Sequence, residues 1–259
     1  MPSERSSGSG YWPLGSGIAN RSRVSIRGDS DAAAPSALRV PSESALPLGV
    51  RLQILTGVVP LAGYLCLHLL TQATALSGPS AHARWGSLPT SWHWVALEIA
   101  LVHLPLVLHI ALGVLRVMRP SPAPDAGGVS AFARQLTRAS GLVLLLFLLV
   151  HVGEWRLRAW TGELAPSDVY PELCAQLSST RWGGVPFAAF GYLLGVAAAA
   201  HHGAQGLYQA AFGLGLIGTA RAGAWRRCCI ALGLAWFGLG ALIVIDLATG
   251  SVLIHLPGS

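Results

Sequence analysis

Nine histidines stand among few other polar residues, and four of them fall deep inside long apolar stretches. These four are His68, His109, His151 and one of the adjacent residues His201 and His202. An imidazole among apolar groups is costly without a partner, so a histidine in such a place is a candidate functional residue. Imidazole nitrogens bind haem iron and other transition metals, and they also carry protons. The four positions therefore predict metal, haem or proton chemistry in an apolar interior.

The composition predicts that this interior is a lipid bilayer. Hydrophobic residues make up 53% of the 259 residues, charged residues only 11%, and the mean hydropathy is +0.55. So little polar surface cannot cover a water-soluble globule. We therefore predict an all-α integral membrane protein, because a single segment can cross a bilayer only as a helix that satisfies its own backbone groups.

Five apolar segments are each long enough to cross a hydrocarbon core of about 30 Å. They span about 50–76, 92–118, 135–160, 184–213 and 226–248. We predict a bundle of five transmembrane helices over residues 47–250, followed by a short outer tail at 251–259. Residues 1–46 are rich in Ser, Gly, Pro and Arg and have no sustained apolar period. This composition predicts a disordered cytoplasmic arm.

The distribution of arginine predicts the orientation of the bundle. All 17 basic residues are arginine, and 11 acidic residues leave a formal net charge of +6. A cytoplasmic N-terminus and an outer C-terminus put thirteen arginines inside and four outside, as the positive-inside rule requires. The outer four are Arg84, Arg156, Arg158 and Arg181. We expect no nucleic-acid partner, because no basic helix with interleaved polar residues is present.

This topology sorts the deep histidines into two layers. His68 and His151 each lie about 17 residues from the inner end of a helix, roughly 25 Å at the helical rise, so they belong to the outer half of the bilayer. His109 and His202 lie about as far from the outer ends of their helices, so they belong to the inner half. We call His68 and His151 the outer pair, and His109 and His202 the inner pair.

Two imidazoles at one depth on different helices are what a bis-histidine haem requires, with one nitrogen ligand on each face. Two such layers predict two stacked b-type haems. Since protein fills both axial positions, the iron has no open position for oxygen or substrate. The predicted chemistry is therefore electron transfer.

Nearby residues agree with these two layers. His202, like His109, is followed four residues later by a glycine, beside which a macrocycle can lie against the backbone. These glycines are Gly206 and Gly113. His201 has Gln205 at that place, so we prefer His202 as the ligand. The outer pair instead share a hydroxyl residue and a glycine about three turns upstream: Thr56-Gly57 and Ser140-Gly141.

Several charged residues lie near the predicted layers, and each has two interpretations. Arg51 and Arg138, at inner helix ends, either donate hydrogen bonds to haem propionates or anchor the helices at the inner surface. The acids Glu98 and Glu154 lie within or near the spans, and both are candidates for proton handling at a quinone, Glu154 more than Glu98. Glu154, beside the outer pair, either handles protons at a quinone or is an interfacial carboxylate paired with Arg158 one turn on.

The remaining histidines have weaker claims. His103 is six residues from His109 and off its face, so we expect it to pack near the ligands rather than to bind. We predict ordinary surface positions for His82, His93 and His255.

Four stretches resemble one family, the single-chain, five-helix, dihaem cytochrome b anchors of succinate dehydrogenases and fumarate reductases. The resemblance begins near Arg51 and extends through the fifth helix, leaving the N-terminal arm outside. It rests on LTGVVPLAGYLCLHLL (55–70), SLPTSWHWVALEIALVHLPLVLHIALGV (87–114), LTRASGLVLLLFLLVHVGEWR (136–156) and HHGAQGLYQ (201–209).

The resemblance implies that His109 and His202 ligate a proximal haem b and that His68 and His151 ligate a distal one. It also implies a bacterial inner-membrane respiratory complex. A flavoprotein and an iron–sulfur subunit would lie on its cytoplasmic face, and menaquinone or another quinone would exchange electrons with the haems. The dicarboxylate chemistry would belong to the flavoprotein. Some fumarate reductases have a glutamate two residues before the fourth ligand, where this chain has Ala200.

Two other functions remain open at this point. The chain could be the cytochrome b subunit of another respiratory complex, such as a nitrate reductase or a hydrogenase. It could also be a haem-free transporter that uses its histidines for protons or metal. One ligand per helix disfavours the quinol:cytochrome c type, whose helices carry two ligands each.

Overall fold

The computed structural model describes residues 47–86, 91–118, 131–181 and 183–250. The predicted arm at 1–46 and the tail at 251–259 lie outside these residues. The described residues form helices without a β-strand, so the predicted all-α fold is confirmed. The helices are α1 (Leu48–Ser77), α2 (Pro79–Trp85), α3 (Trp92–Met118), α4 (Ala131–Thr161), α5 (Val169–Leu177), α6 (Phe187–Gly213) and α7 (Thr219–Thr249).

Within the described residues, four helices are long and apolar enough to cross a membrane: α1, α3, α4 and α7. They coincide with four of the five predicted apolar segments. The remaining segment forms α6, a helix of 27 residues. Its two adjacent histidines and Gln205 lower its mean hydropathy below that of the other four helices. The short helices α2 and α5 were not predicted, because the sequence indicated only polar connections at these positions.

Three of the long helices contain a π-helical turn: Gly57–Ala62 in α1, Ile99–His103 in α3 and Val152–Leu157 in α4. Proline accounts for two of them. Pro60 lies inside the first turn, and Pro105 closely follows the second. Proline lacks a backbone N–H and its ring crowds the carbonyl four residues earlier, so the helix widens locally. Such turns often lie at functional sites.

Small residues hold α7 against α6. A Cβ atom built on Gly233 would lie 2.9 Å from the Cβ of Ala204, and one on Gly240 would lie 2.5 Å from Val196 Cγ1. Glycine at these positions therefore lets the two backbones approach closely, as in other membrane helix pairs. Trp236 of α7 is buried next to Leu69 of α1. Helix α7 thus supports the histidine-bearing helices.

The predicted connection between α4 and α6 contains a packed element. Helix α5 buries Leu173 and Leu177 in a cluster with the ends of α1 and α7. The cluster includes Ala75, Leu76, Ile243, Val244 and Leu247. This end of the bundle is therefore covered by protein, close to the helix ends that the predicted topology places outside.

Candidate functional site

The structure brings the inner pair together. The ring centroids of His109 on α3 and His202 on α6 lie 6.2 Å apart, with their planes nearly perpendicular at 89°. Both side chains are half-buried. The Nδ1 atom of His109 lies 2.9 Å from the carbonyl oxygen of Gln53, and that of His202 lies 3.2 Å from the carbonyl oxygen of Thr137. Because a carbonyl only accepts, both Nδ1 atoms carry the proton, and Nε2 is left as the atom with a free lone pair.

Two glycines make room for these rings. A Cβ atom on Gly57 of α1 would lie 2.7 Å from Cε1 of His109, and one on Gly141 of α4 would lie 2.9 Å from Cε1 of His202. Any larger residue at either glycine would push the ring aside. From the sequence, we assigned Thr56-Gly57 and Ser140-Gly141 to the outer pair, because they lie about three helical turns before His68 and His151. That grouping is wrong, because both glycines contact the inner pair.

The glycines that follow the inner pair do not contact the rings in the same way. A Cβ atom on Gly113 would meet Gln53, and one on Gly206 would meet nothing within 4 Å. The orientation of each inner histidine ring is therefore set by the preceding long helix, α1 for His109 and α4 for His202. Spacing along one helix cannot reveal a contact of this kind.

The outer pair also meets. The centroids of His68 on α1 and His151 on α4 lie 5.9 Å apart, at an interplanar angle of 79°. Aromatic rings flank both: Tyr64 stacks on His68 and Phe147 stacks on His151. The hydroxyl of Tyr192 lies 3.4 Å from Nδ1 of His151 and accepts a hydrogen bond from Trp155. Aromatic side chains therefore make the main contacts with the outer pair, whereas backbone carbonyls and glycines make the main contacts with the inner pair.

The two pairs lie at different levels of the bundle. His109 packs on Gly57, and His68 follows that glycine by eleven positions on the same helix. At the helical rise this separation is about 16 Å. The two pairs are thus separate sites in one bundle.

The centroid separation in each pair matches that of two imidazoles bound to one metal ion. A metal ion binds an imidazole nitrogen at about 2.0–2.1 Å and the ring centre lies roughly 1 Å farther, so two rings on opposite sides of one ion have centroids about 6 Å apart. Both measured separations agree with this value. No group of three or more His, Cys, Asp or Glu side chains in the described residues could hold a metal ion. The candidate sites are therefore the two pairs.

A buried ion pair lies near the start of α3 and the end of α4. The Nε atom of Arg156 donates to both carboxylate oxygens of Glu98, at 2.9 and 2.7 Å. The Arg156 guanidinium also lies 5.6 Å from the Trp160 ring, which packs edge-on against His103. His103 thus belongs to this cluster, and Glu98 is held in an ion pair.

The i,i+4 pairing of Glu154 with Arg158 does not form between their side chains. Arg158 instead makes a two-point contact with Glu172 of α5, at 2.8 and 3.2 Å, and its Nη1 atom lies 3.5 Å from the backbone oxygen of Glu154. The Glu154 carboxylate accepts a hydrogen bond of 2.8 Å from Gln176. Helix α5 therefore determines where both side chains point.

Arg51 and Arg138 lie close to the carbonyls that hold the inner pair. Arg51 precedes Gln53 by two residues in the first turn of α1 and is half-buried. Arg138 directly follows Thr137 and is exposed. Both arginines therefore lie at the level of the bundle that contains the inner pair.

His82 is not a surface residue, so that prediction is wrong. Its side chain on α2 is 0% exposed, and its Nε2 atom lies 3.1 Å from Gln72 Oε1. Burial lowers the pKa of this imidazole. A helix of seven residues gives no clear period, so the sequence could not show its buried face. His93 is exposed as expected, and His255 lies outside the described residues.

Comparison with known proteins adds one relative. The succinate dehydrogenase cytochrome b558 subunit of Bacillus subtilis (strain 168) is 30% identical to this chain, over 74% of this chain and 93% of that protein. No family model matches the chain, and no solved structure does. Since the similarity extends over most of both chains and the fold is a multi-pass helical membrane bundle, the chain belongs to the family of succinate dehydrogenase cytochrome b membrane subunits.

Proposed function

We propose that this chain is the membrane anchor and electron-transfer subunit of a succinate:quinone oxidoreductase, with one haem b at each histidine pair. The observation that carries the proposal is the separation of the rings, 6.2 Å in the inner pair and 5.9 Å in the outer pair. His109 and His202 would hold one haem, and His68 and His151 the other. Haem b bound by two imidazoles supplies reversible one-electron chemistry without an open iron position.

Backbone carbonyls of this chain orient the imidazoles of the inner pair. Each inner Nδ1–H donates to a backbone carbonyl, which fixes the tautomer and the ring orientation and makes the imidazole a stronger ligand. Arg51 and Arg138, within two residues of those carbonyls, would bind haem propionates through charge-assisted hydrogen bonds.

The proposed topology has five spans. Helix α6 has 27 residues, about 40 Å at the helical rise, which is enough to cross the bilayer. It lies against α7, which is itself apolar enough to span, and it supplies His202. The arginine distribution supports a topology with the N-terminus in the cytoplasm and the C-terminus outside, and the proposed membrane is a bacterial inner membrane.

The proposed partners follow from this orientation. The flavoprotein and iron–sulfur subunits would dock on the arginine-rich cytoplasmic face, near the inner pair. Quinone would react near the outer pair, where the Glu154 carboxylate is held by Gln176. The Glu154 carboxylate, three residues after His151, would exchange protons with the quinone as its redox state changes.

The test is the optical spectrum of the full chain purified from membranes with its co-purifying subunits. We expect a reducible low-spin spectrum from two haems, and a partner that contains flavin. Changing His68 or His151 to Ala should remove one haem, and changing His109 or His202 to Ala should remove the other. Absence of a low-spin haem spectrum would overturn the proposal, and loss of the same haem from His68→Ala and His109→Ala would overturn the pairing.

A further inference from the structure

The two inner histidines are held by the same arrangement on two different helices. The His109 ring packs on Gly57 and its Nδ1 atom faces the carbonyl four residues before that glycine, Gln53 O. The His202 ring packs on Gly141, and its Nδ1 atom faces the carbonyl four residues before that glycine, Thr137 O.

The residue before each glycine has a hydroxyl, and this hydroxyl contacts the same carbonyl as the histidine. Thr56 Oγ1 lies 3.2 Å from Gln53 O, in addition to a bond of 2.8 Å to Leu52 O and a distance of 3.5 Å to His109 Nδ1. On α4, the buried Ser140 hydroxyl donates to Thr137 O at 3.0 Å. Two separate stretches of the chain thus place a glycine, a hydroxyl and a carbonyl around an inner histidine in a similar way, with the hydroxyl bond to the carbonyl more direct at Ser140 than at Thr56.

Each of these carbonyls has more donors than lone pairs. A peptide oxygen has two lone pairs. Gln53 O already accepts from the backbone N–H of Gly57, so His109 Nδ1–H shares the remaining lone pair with the longer branch of the bifurcated Thr56 hydroxyl bond, whose shorter branch goes to Leu52 O. Thr137 O lies inside α4, where the helical backbone supplies the first donor in the same way. The hydroxyl therefore limits the strength of the Nδ1–H···O bond of the histidine.

We propose that Thr56 and Ser140 are positioning residues that set the strength of the Nδ1–H···O bonds of His109 and His202, and through them the reduction potential of the inner haem. This inference rests on the proposed function. A stronger Nδ1–H···O bond makes the imidazole more basic, and a more basic ligand favours the oxidised, more positive metal. Removal of either hydroxyl should therefore lower the potential of the inner haem.

The test is a redox titration of the purified, haem-loaded chain with Thr56→Val and Ser140→Ala, monitored optically and by electron paramagnetic resonance. For each variant we expect about a two- to tenfold rise in the oxidised-to-reduced ratio of the inner haem at fixed potential. A tenfold change is about 59 mV for one electron. The outer haem should keep its potential, and the combined variant should shift further than either alone.

Two controls separate the hydroxyl from general effects. Thr74→Val removes a hydroxyl that donates to a carbonyl three residues earlier in the same helix, distant from the inner pair, and should change neither potential. Thr56→Ser keeps the hydroxyl and should restore the wild-type potential.

Each outcome decides the inference. An unchanged inner potential in both Thr56→Val and Ser140→Ala would overturn it. If Thr56→Val loses the inner haem, Thr56→Ser and Ser140→Ala decide: a wild-type inner potential in the first with a lowered one in the second supports the inference, and an unchanged inner potential in Ser140→Ala overturns it. If the unmodified chain shows no haem spectrum, the proposed function fails instead, so the two failures are distinguishable.

Discussion

Arg156 of α4 and Glu98 of α3 form an ion pair that is almost removed from solvent, with side chains 14% and 9% exposed. Both lie at π-helical turns: Arg156 lies within the turn of α4, and Glu98 directly precedes the turn of α3. The pair joins two helices that each contribute one histidine, His109 from α3 and His151 from α4. It therefore links the elements that carry the inner and the outer pair.

The first prediction is that this pair behaves as a unit. Arg156→Leu leaves the Glu98 carboxylate buried without its partner and should cost about 3–5 kcal/mol of unfolding free energy. Changing Glu98 to Leu as well should recover most of that loss, because no charge then remains buried. The measurement is denaturation of the four proteins of the cycle in mixed detergent micelles.

The matched control is Arg158→Leu, which removes an exposed partner of Glu172 and should have a much smaller effect. Additive losses in the Glu98 and Arg156 cycle would show that the two side chains act independently.

The sequence predicted the long helices well, because twenty or more apolar residues in a row have few alternatives. Four predicted segments are helices able to cross a membrane, and the predicted segment 184–213 corresponds to α6. Depth counting also placed each histidine beside the partner that it meets in the structure.

The sequence did not predict which side chains meet between different helices. Glu98 and Arg156 are 58 positions apart, and no period in either helix shows that they meet. Gly57 and Gly141 stood out in the sequence, but their partners lie on other helices and at another depth than expected. His82 was misplaced because a short helix contains too few residues to show a buried face.

The second prediction separates the adjacent histidines of α6. His202 packs edge-on against His109, whereas the Nε2 atom of His201 is buried and finds no hydrogen-bond partner among the described residues. His202→Gln should therefore lose the proposed inner haem and keep the proposed outer one, and His201→Gln should keep both. Haem content per chain and the reduced spectrum check this. Loss of a haem from His201→Gln with both retained in His202→Gln would reverse the assignment.

The third prediction concerns acid. Hydrogen bonds from Arg158 hold the pKa of the Glu172 carboxyl below its ordinary value of 4.5. Because the pKa is lower in the folded state, this contact stabilises the fold above about pH 4.5 and is lost as the pH falls through the lowered value. Between about pH 6 and pH 3, the melting temperature of the unmodified chain should fall more than that of Glu172→Gln, by no more than about 2 °C because the pair is exposed. Parallel curves for the two proteins would show that the contact contributes nothing.

The fourth prediction concerns the glycines beneath the inner pair. Alanine normally stabilises a helix relative to glycine by about 1 kcal/mol. Gly57→Ala and Gly141→Ala should nevertheless lose the inner haem, because each new methyl group would lie within 3 Å of a histidine ring. Gly63→Ala, on an exposed position of α1 with nothing within 4 Å, is the matched control and should keep both haems. The measurement is the haem content of the three variants, taken from their optical spectra at equal protein concentration. An unchanged content of the proposed inner haem in Gly57→Ala would show that the histidine ring does not need the space that this glycine provides.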